Sequence, residues 1–299
     1  MEHAPVAPIL FQPIFQERVW GGRKLADAFG KPFPPQKSIG EAWEIVDREE
    51  AQSVVRQGVY RGKTLHELWC NERREIFGDH LPDAPRFPIL AKLLDARETL
   101  SLQVHPTAEV AAELGGESKT ETWYVASAEP GAGLFVGLKA GATRDGFERA
   151  LHEGTVIDLL HRLDVKAGDA LLVPSGRLHA IGAGNLIVEI QQNSDTTYRV
   201  FDWDRPGTDG QPRKLHLAEA MRAIDFGDFE PRLVRQEGEL LVRCPEFTLE
   251  KWDLAEPRAA LDRAAFAIFF CLGGVLKMSG VEMCAGDFFL VPATVGDTP

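Results

Sequence analysis

Gly168-Asp169-Ala170-Leu171-Leu172-Val173-Pro174-Ser175 returns as Gly286-Asp287-Phe288-Phe289-Leu290-Val291-Pro292-Ala293. Each copy is a Gly-Asp turn feeding a short apolar strand that a proline ends, and the repetition implies two related β units in one chain. Gly176 and His179 follow the proline of the first copy, whereas Asp297 stands at the position of His179 in the second. Around both copies, apolar alternation punctuated by Gly and Pro dominates, so strands outnumber helices. Helical spacing is confined to a few places. Thr64-Leu65-His66-Glu67 has the pattern of a capping box ahead of Leu65, Leu68, Trp69, Ile76 and Phe77. Two shorter helices are expected from Thr143 and Thr155, with Phe147, Leu151, Leu159, Leu160 and Leu163 as apolar stripes. The polar stretch from Asp202 to Arg213 reads as a loop leading out of the first unit. A boundary near residue 230 then divides the chain into a unit over 1–230 and a smaller one over 231–299.

Composition bounds what the units can do. With 299 residues, 44% of them hydrophobic, the chain can fill one large core or two modest ones. Met1-Glu2-His3-Ala4-Pro5 lacks a basic region followed by an apolar run, and no stretch approaches the roughly 18 apolar residues of a membrane span. A cytoplasmic protein that binds no membrane is expected. Cys70, Cys244, Cys271 and Cys284 have none of the close spacings of a zinc finger or redox pair, and read as buried small hydrophobes. A net charge of −12 argues against nucleic acid as a partner, because phosphate contacts need a basic surface. It also implies that an anionic substrate would need lysines and arginines gathered at one site.

Leu100-Ser101-Leu102-Gln103-Val104-His105-Pro106 alternates strictly, with Leu100, Leu102 and Val104 on one strand face and Ser101, Gln103 and His105 on the other. The second face is either solvated or, since Gln and His two apart also suit a metal, a set of ligands. Lys119, Glu121 and Trp123 project together in the same way, and a Lys and Glu two apart are more commonly a surface pair. His179 opens a short strand beside Ile181, where a histidine is ordinarily a packing residue. In Leu186-Ile187-Val188-Glu189-Ile190-Gln191 the residues Glu189 and Gln191 share a face that is either wet or lines a pocket. Taken together, Gln103, His105, Glu121 and His179 form a nitrogen and oxygen set suited to zinc, and the absence of thiolates speaks against a purely structural site.

Four strings then occur in order: Leu-Ser-Leu-Gln-Val-His-Pro from residue 100, Lys-Thr-Glu-Thr-Trp-Tyr from 119, Pro-Ser-Gly-Arg-Leu-His-Ala-Ile from 174 and Glu-Ile-Gln-Gln-Asn-Ser-Asp-Thr-Thr-Tyr-Arg from 189. With Val19-Trp20-Gly21-Gly22 and Gly40-Glu41-Ala42-Trp43-Glu44, they resemble the type I mannose-6-phosphate isomerases in their short bacterial form. The likeness runs from about residue 10 to 205 and more loosely to the end.

The resemblance implies a mainly β fold of two cupin-type, jelly-roll barrels with helical insertions, the second lacking metal ligands. It places one zinc ion per chain on Gln103, His105, Glu121 and His179. It puts polar pocket residues at Glu41, Lys92, Ser101, Lys119, Glu189 and Arg199, and at Arg205, where some members carry lysine. Arg199, Glu189 and Lys119 become the expected catalytic groups, and Ser101, Lys92, Glu41 and Arg205 the expected substrate contacts. The implied reaction is interconversion of mannose 6-phosphate and fructose 6-phosphate through a cis-enediol. A small sugar phosphate is the implied partner. Two other readings remain at this point. One is a cupin metal-dependent dioxygenase, which an amide ligand at Gln103 disfavours. The other is a non-enzymatic sugar-binding cupin, which would not need Glu189 and Arg199 beside a metal.

Overall fold

The computed structural model describes residues 7–79, 81, 83–259 and 265–293. The chain is mainly β, and two antiparallel sheets carry the first unit. One has six strands in the order Ile14–Gly22, Ile39–Ile45, Ile89–Ala96, Asn185–Gln192, Glu121–Ala128 and Ala170–Val173. The other has five, in the order Tyr198–Phe201, Leu102–Val104, His179–Ile181, Gly133–Leu138 and Leu160–Asp164.

Period-two alternation sorts the side chains of both sheets into an inner and an outer set. Trp20, Leu94, Val125, Leu171 and Ile187 from the six-stranded sheet pack with Leu134, Val136 and Ile181 from the five-stranded one, so the two inner faces share one core. On the outer face of the larger sheet, Leu93, Leu186 and Val188 bury against Leu65, Leu68, Trp69, Ile76 and Phe77. On the outer face of the smaller sheet, Leu102, Val104, Ala180 and Val200 pack on Phe147, Val156 and Ala220. With hydrophobic residues committed outward, Gln103, His179 and Glu189 are left pointing into the barrel.

The helical insertions follow the sequence reading in part. Thr64 accepts from Glu67 N at 3.1 Å while Glu67 returns a bond to Thr64 N at 2.7 Å, a complete capping box. The helix behind it breaks at Glu72 into Leu65–Asn71 and Arg73–Phe77, and their buried residues still form one apolar face. Thr143 caps Arg144–Glu153 as expected. Thr155 begins only a turn of 3-10 helix, Val156–Leu159, after which Leu160 and Leu163 lie in a strand, where pairing with Gly133–Leu138 overrides the helical spacing. No helix among the described residues is long and apolar enough to cross a membrane. Of the cysteines only Cys271 is buried. Cys70 faces solvent one helical turn from His66, and Cys284 is exposed on a two-stranded hairpin.

The repeated sequence forms the same turn twice. Asp169 accepts from Lys166 N at 2.9 Å, and Asp287 accepts from Cys284 N at 2.8 Å. Gly168 and Gly286 hold φ of 94° and 93°. Ala170–Val173 then joins the six-stranded sheet, whereas Phe288–Val291 is the centre of a three-stranded sheet between Ile9–Leu10 and Ala267–Phe270. Asp297, expected opposite His179, lies outside the described residues.

The two glycines differ in surroundings. A Cβ on Gly168 would meet nothing within 4 Å, while one on Gly286 would sit 2.6 Å from Phe29 Cβ and 2.7 Å from its carbonyl oxygen. Gly168→Ala should therefore lose only the cost of the left-handed backbone, about 1–2 kcal/mol, whereas Gly286→Ala adds a backbone clash and should lose roughly 2–4 kcal/mol. Chemical denaturation of both variants checks the order, and equal losses would contradict it.

Candidate metal centre and its cavity

The strand registers assemble the site from two rows of side chains. In the six-stranded sheet Trp43 pairs with Lys92, Lys92 with Glu189, and Glu189 with Trp123. In the five-stranded sheet His179 and Arg199 both pair with Gln103. Glu121 opens its strand opposite Gln191, and His105 follows Leu102–Val104. The rows face one another at the polar end of the barrel and enclose a cavity of about 360 Å³, within the ordinary range for a small-molecule site.

Three side chains far apart in sequence converge there. His105, Glu121 and His179, each 1% exposed, present ligand atoms all within 4.8 Å of one another. His105 Nδ1 donates to Thr196 O at 2.9 Å, and His179 Nδ1 donates to Arg177 O at 2.8 Å. A carbonyl can only accept, so each imidazole carries its proton on Nδ1 and turns the Nε2 lone pair inward. These lone pairs lie 3.3 Å from Glu121 Oε2 and 3.6 Å from Glu121 Oε1. His105 Nε2 and Glu121 Oε1 have no hydrogen-bond donor among the described residues. Electron pairs gathered in this way and buried repel one another unless a cation lies among them, so the donor set fits a metal ion.

Gln103 completes the group: its Nε2 is 3.3 Å from His179 Nε2, and its Oε1 accepts from Ser101 Oγ at 3.2 Å. A half-turn of the carboxamide exchanges its nitrogen and oxygen, which would aim the oxygen at the histidine pair. Ser101, expected to touch substrate, is thereby also the orienting partner of Gln103.

The charges around the centre are mutually paired. Lys119 Nζ lies 2.7 Å from Glu121 Oε2 and 3.8 Å from Glu189 Oε1, and Lys92 Nζ lies 3.0 Å from Glu189 Oε1. Trp123 Nε1 donates to Glu189 Oε2 at 3.0 Å, and Trp43 Nε1 donates to Glu41 Oε2 at 2.6 Å. Burial alone would raise the Glu121 carboxyl, but Lys119 and then the two histidines hold it well below the usual range. Burial, helped by Lys119, pushes His105 down to about 3, and burial also lowers His179. Both imidazoles are therefore neutral at ordinary pH, the state that binds a metal. Glu189 is raised by burial and then by the charge of Glu121, against the pull of Lys92 and Lys119. Although burial opposes it, Glu189 and then Glu41 hold Lys92 protonated well above its ordinary value.

Of the residues expected from sequence, Glu41, Lys92, Ser101, Gln103, Lys119, His179, Glu189 and Arg199 line the cavity, with His105 and Glu121 buried beside it. Arg205 is outside the wall, bonded to Asp202 at 3.0 Å and 3.7 Å from Glu98. The sequence reading missed Arg18, which chelates Glu41 through Nε at 3.1 Å and Nη2 at 3.3 Å, and Arg213, which lines the cavity from the loop. For Arg18, alternation with Trp20 on one strand was an available signal. Arg213 has no periodic neighbours, and only the mixture of three Asp and two Arg from 202 to 213 hints at it. Five cations thus gather in the wall of an acidic chain, as an anionic substrate requires: Arg18, Lys92, Lys119, Arg199 and Arg213.

Comparison with known proteins identifies a family. The sequence model of the type I phosphomannose isomerase catalytic domain matches residues 9–132. A probable mannose-6-phosphate isomerase of Bacillus subtilis (strain 168) is 40% identical over 310 residues, covering 97% of this chain and 95% of the relative. The crystal structure of the mannose 6-phosphate isomerase from Bacillus subtilis superposes with a TM-score of 0.87 at 36% identity, covering 97% of this chain and 95% of that one. A mannose 6-phosphate isomerase bound with zinc and yttrium shares the fold, with a TM-score of 0.72 at 16% identity and coverage of 96% and 95%.

Glu41 supplies a test of the charge network. Burial would raise its pKa, but Lys92, then Arg18 and the Trp43 bond, hold it at about 2 against an ordinary 4.5. A carboxylate depressed in the folded state stabilises the fold above its unfolded pKa, and that contribution fades as the pH falls from about 4.5 toward about 2. At about 1.4 kcal/mol per unit, the amount is about 3 kcal/mol. Glu41→Gln should therefore flatten the loss of stability across this window relative to the parent chain. Parallel stability curves for the two proteins would show that the pairing does not bias the carboxyl.

Proposed function

The chain belongs to the type I phosphomannose isomerase family, and we propose that it interconverts mannose 6-phosphate and fructose 6-phosphate through a cis-enediol, in the cytoplasm, with one zinc ion per chain. The observation that carries the reading is the convergence of the Nε2 lone pairs of His105 and His179 on Glu121, each imidazole locked in the right tautomer by a backbone carbonyl. With the Gln103 oxygen they make a four-ligand set of nitrogen and oxygen, the chemistry that suits zinc. When bound, zinc supplies a redox-inert Lewis acid that polarises the sugar carbonyl, which fits a reaction that exchanges no electrons with a cofactor.

The chain's own residues move the protons. Glu189 faces the cavity with a raised proton affinity, so it takes the proton from C2 of the open-chain aldose and returns it to C1. Lys119, 3.8 Å from Glu189, gives a proton to O1 as the enediol forms and recovers one from O2 as the ketose carbonyl forms. Carbon and oxygen each keep their hydrogen count over the cycle. Lys92 and Trp123 hold Glu189 in place, and Ser101 and Glu41 offer hydrogen bonds to the sugar. Arg199 supports the phosphate or the developing enediolate, since a permanently charged guanidinium offers no ligand atom to a metal. The smaller unit over 231–299 has no counterpart of the Gln103 and His105 pair in its sequence, binds no metal, and serves packing or pocket closure.

The protein as purified should carry about one zinc per chain and convert mannose 6-phosphate to fructose 6-phosphate. Chelation should abolish turnover and added zinc restore it. His105→Ala and His179→Ala should each lose both metal and activity. Tightly held iron with oxygen uptake would favour the dioxygenase, and a zinc-loaded protein that binds sugar phosphate without turnover would favour a binding module.

Arg199→Ala should keep normal zinc and lower turnover by about two to four decades, with Arg199→Lys recovering part because an ammonium restores charge but not the planar fork. Zinc content, melting temperature and steady-state rates on one preparation separate this from a structural role. Normal turnover with a lowered melting temperature would remove Arg199 from catalysis.

A further inference from the structure

In the segment after Tyr198–Phe201 two guanidinium groups, those of Arg205 and Arg213, bond one buried carboxylate, and a third, that of Arg199, stands close by without bonding it. Asp202, 5% exposed, accepts from Arg213 Nε at 2.6 Å and from its Nη2, and from Arg205 Nη2 at 3.0 Å. Trp203 and Asp204 hold φ of 57° and 50°, a left-handed backbone that side chains rarely adopt, and Trp203 is pinned by a 2.7 Å bond from Nε1 to Leu100 O. This turn folds Arg205 back onto Asp202 and lets the chain return along the strand it has left. On the return, Lys214 O accepts from Arg199 Nη1 at 2.9 Å, and His216 N donates to Arg199 O at 2.8 Å, which sets Arg213 beside Arg199.

The balance of charge is uneven. Arg199 has no carboxylate partner among the described residues, and its buried Nε has no hydrogen-bond acceptor. Arg213 has Nε and Nη2 engaged by Asp202, which leaves Nη1 free among the described residues. Arg199 and Arg213 both line the cavity, whereas Arg205 does not. Burial, and next the charge of Arg213, push the Arg199 guanidinium below its ordinary value. Two like charges side by side in a cavity wall are unfavourable alone and become favourable when an anion with several oxygens bridges them.

We propose that Arg213 and Arg199 together form the fork that binds the phosphate of the substrate, that Asp202 is the positioning residue that aims Arg213, and that Arg205 anchors Asp202 without touching substrate. This rests on the sugar-phosphate reading above and deepens it, because it assigns the anion site to a residue that no strand pattern marks. The orienting logic is that of a carboxylate clamping one edge of a guanidinium so that the other edge faces the ligand at little entropic cost.

The test uses the full, zinc-loaded chain at constant ionic strength. It measures KM for mannose 6-phosphate and the inhibition constant of inorganic phosphate for the parent, Arg213→Ala, Arg213→Lys, Asp202→Asn and Arg205→Ala. Arg213→Ala should raise both constants about ten- to hundred-fold, the range for a lost charge-assisted contact, while kcat changes less and zinc content and melting temperature stay near the parent values. Arg213→Lys should fall between. Asp202→Asn should raise KM with Arg213 intact, and Arg205→Ala should change it by less than about three-fold. Parent-like KM and phosphate inhibition in Arg213→Ala would overturn the proposal, as would a loss in Arg205→Ala equal to that in Arg213→Ala. If the chain does not turn over mannose 6-phosphate, titration calorimetry with inorganic phosphate reads the fork by itself. Binding weakened by Arg213→Ala supports the fork, and binding unchanged by it, or none to the parent chain, refutes it.

Discussion

Charge buried in the barrel must be answered by charge, and that constraint organises everything around the cavity. Lys92 and Lys119 stand among Glu41, Glu121 and Glu189, all of them 8% exposed or less. Desolvating any one of these groups alone would cost several kcal/mol, so each depends on its neighbours for remaining ionised. With the Arg18 guanidinium bonded to Glu41, three cations answer three carboxylates beside a pair of neutral imidazoles. A divalent cation held there would make the local sign positive, which would suit an anionic ligand. The sheets serve this arrangement by register: Glu189 lies between Lys92 and Trp123 because the Asn185–Gln192 strand pairs on both sides over its whole length.

Much of this was legible in the alternation of the strands. Leu102 and Val104 outward required Gln103 inward, and Leu186 and Val188 outward required Glu189 inward, so the face that the sequence left ambiguous between water and a pocket is the pocket wall. Alternation names a face but not what lies across from it. That Gln103 meets His179, and that Lys92 meets Glu189, depends on pairings between residues far apart in the chain, which local pattern does not contain.

The less legible parts share a different cause. Helical spacing around Thr155 was a poor guide because Leu160 and Leu163 satisfy two periods, and sheet pairing chose between them. The cysteines were read from the average behaviour of the residue type, and two of the four sit on solvent-facing positions of short elements instead. Arg213 and Arg18 belong to the cavity through tertiary contacts alone, and the loop that carries Arg213 has no period to read. Arg205, marked by likeness, and Arg213, marked by geometry, are eight positions apart and share one carboxylate, so the three-dimensional arrangement was needed to tell them apart.

The strand Ile9–Leu10 takes its sheet partner from Phe288–Val291, with Ile9 opposite Leu290 and Leu10 opposite Phe289. The matched turn at Gly286 and Asp287 starts that partner strand, and Phe29 is packed against the turn itself. During synthesis the first strand therefore waits for nearly the whole chain to emerge before its backbone groups on that side are paired. Loop closure over such a distance is among the slowest steps available to a β protein, and the open edge is exposed to other chains until it happens. The strands of the barrel lie within residues 14–201 and the cavity wall is complete at Arg213, whereas the seam joining the two ends of the described chain needs residues 288–291 and can close only after those have emerged.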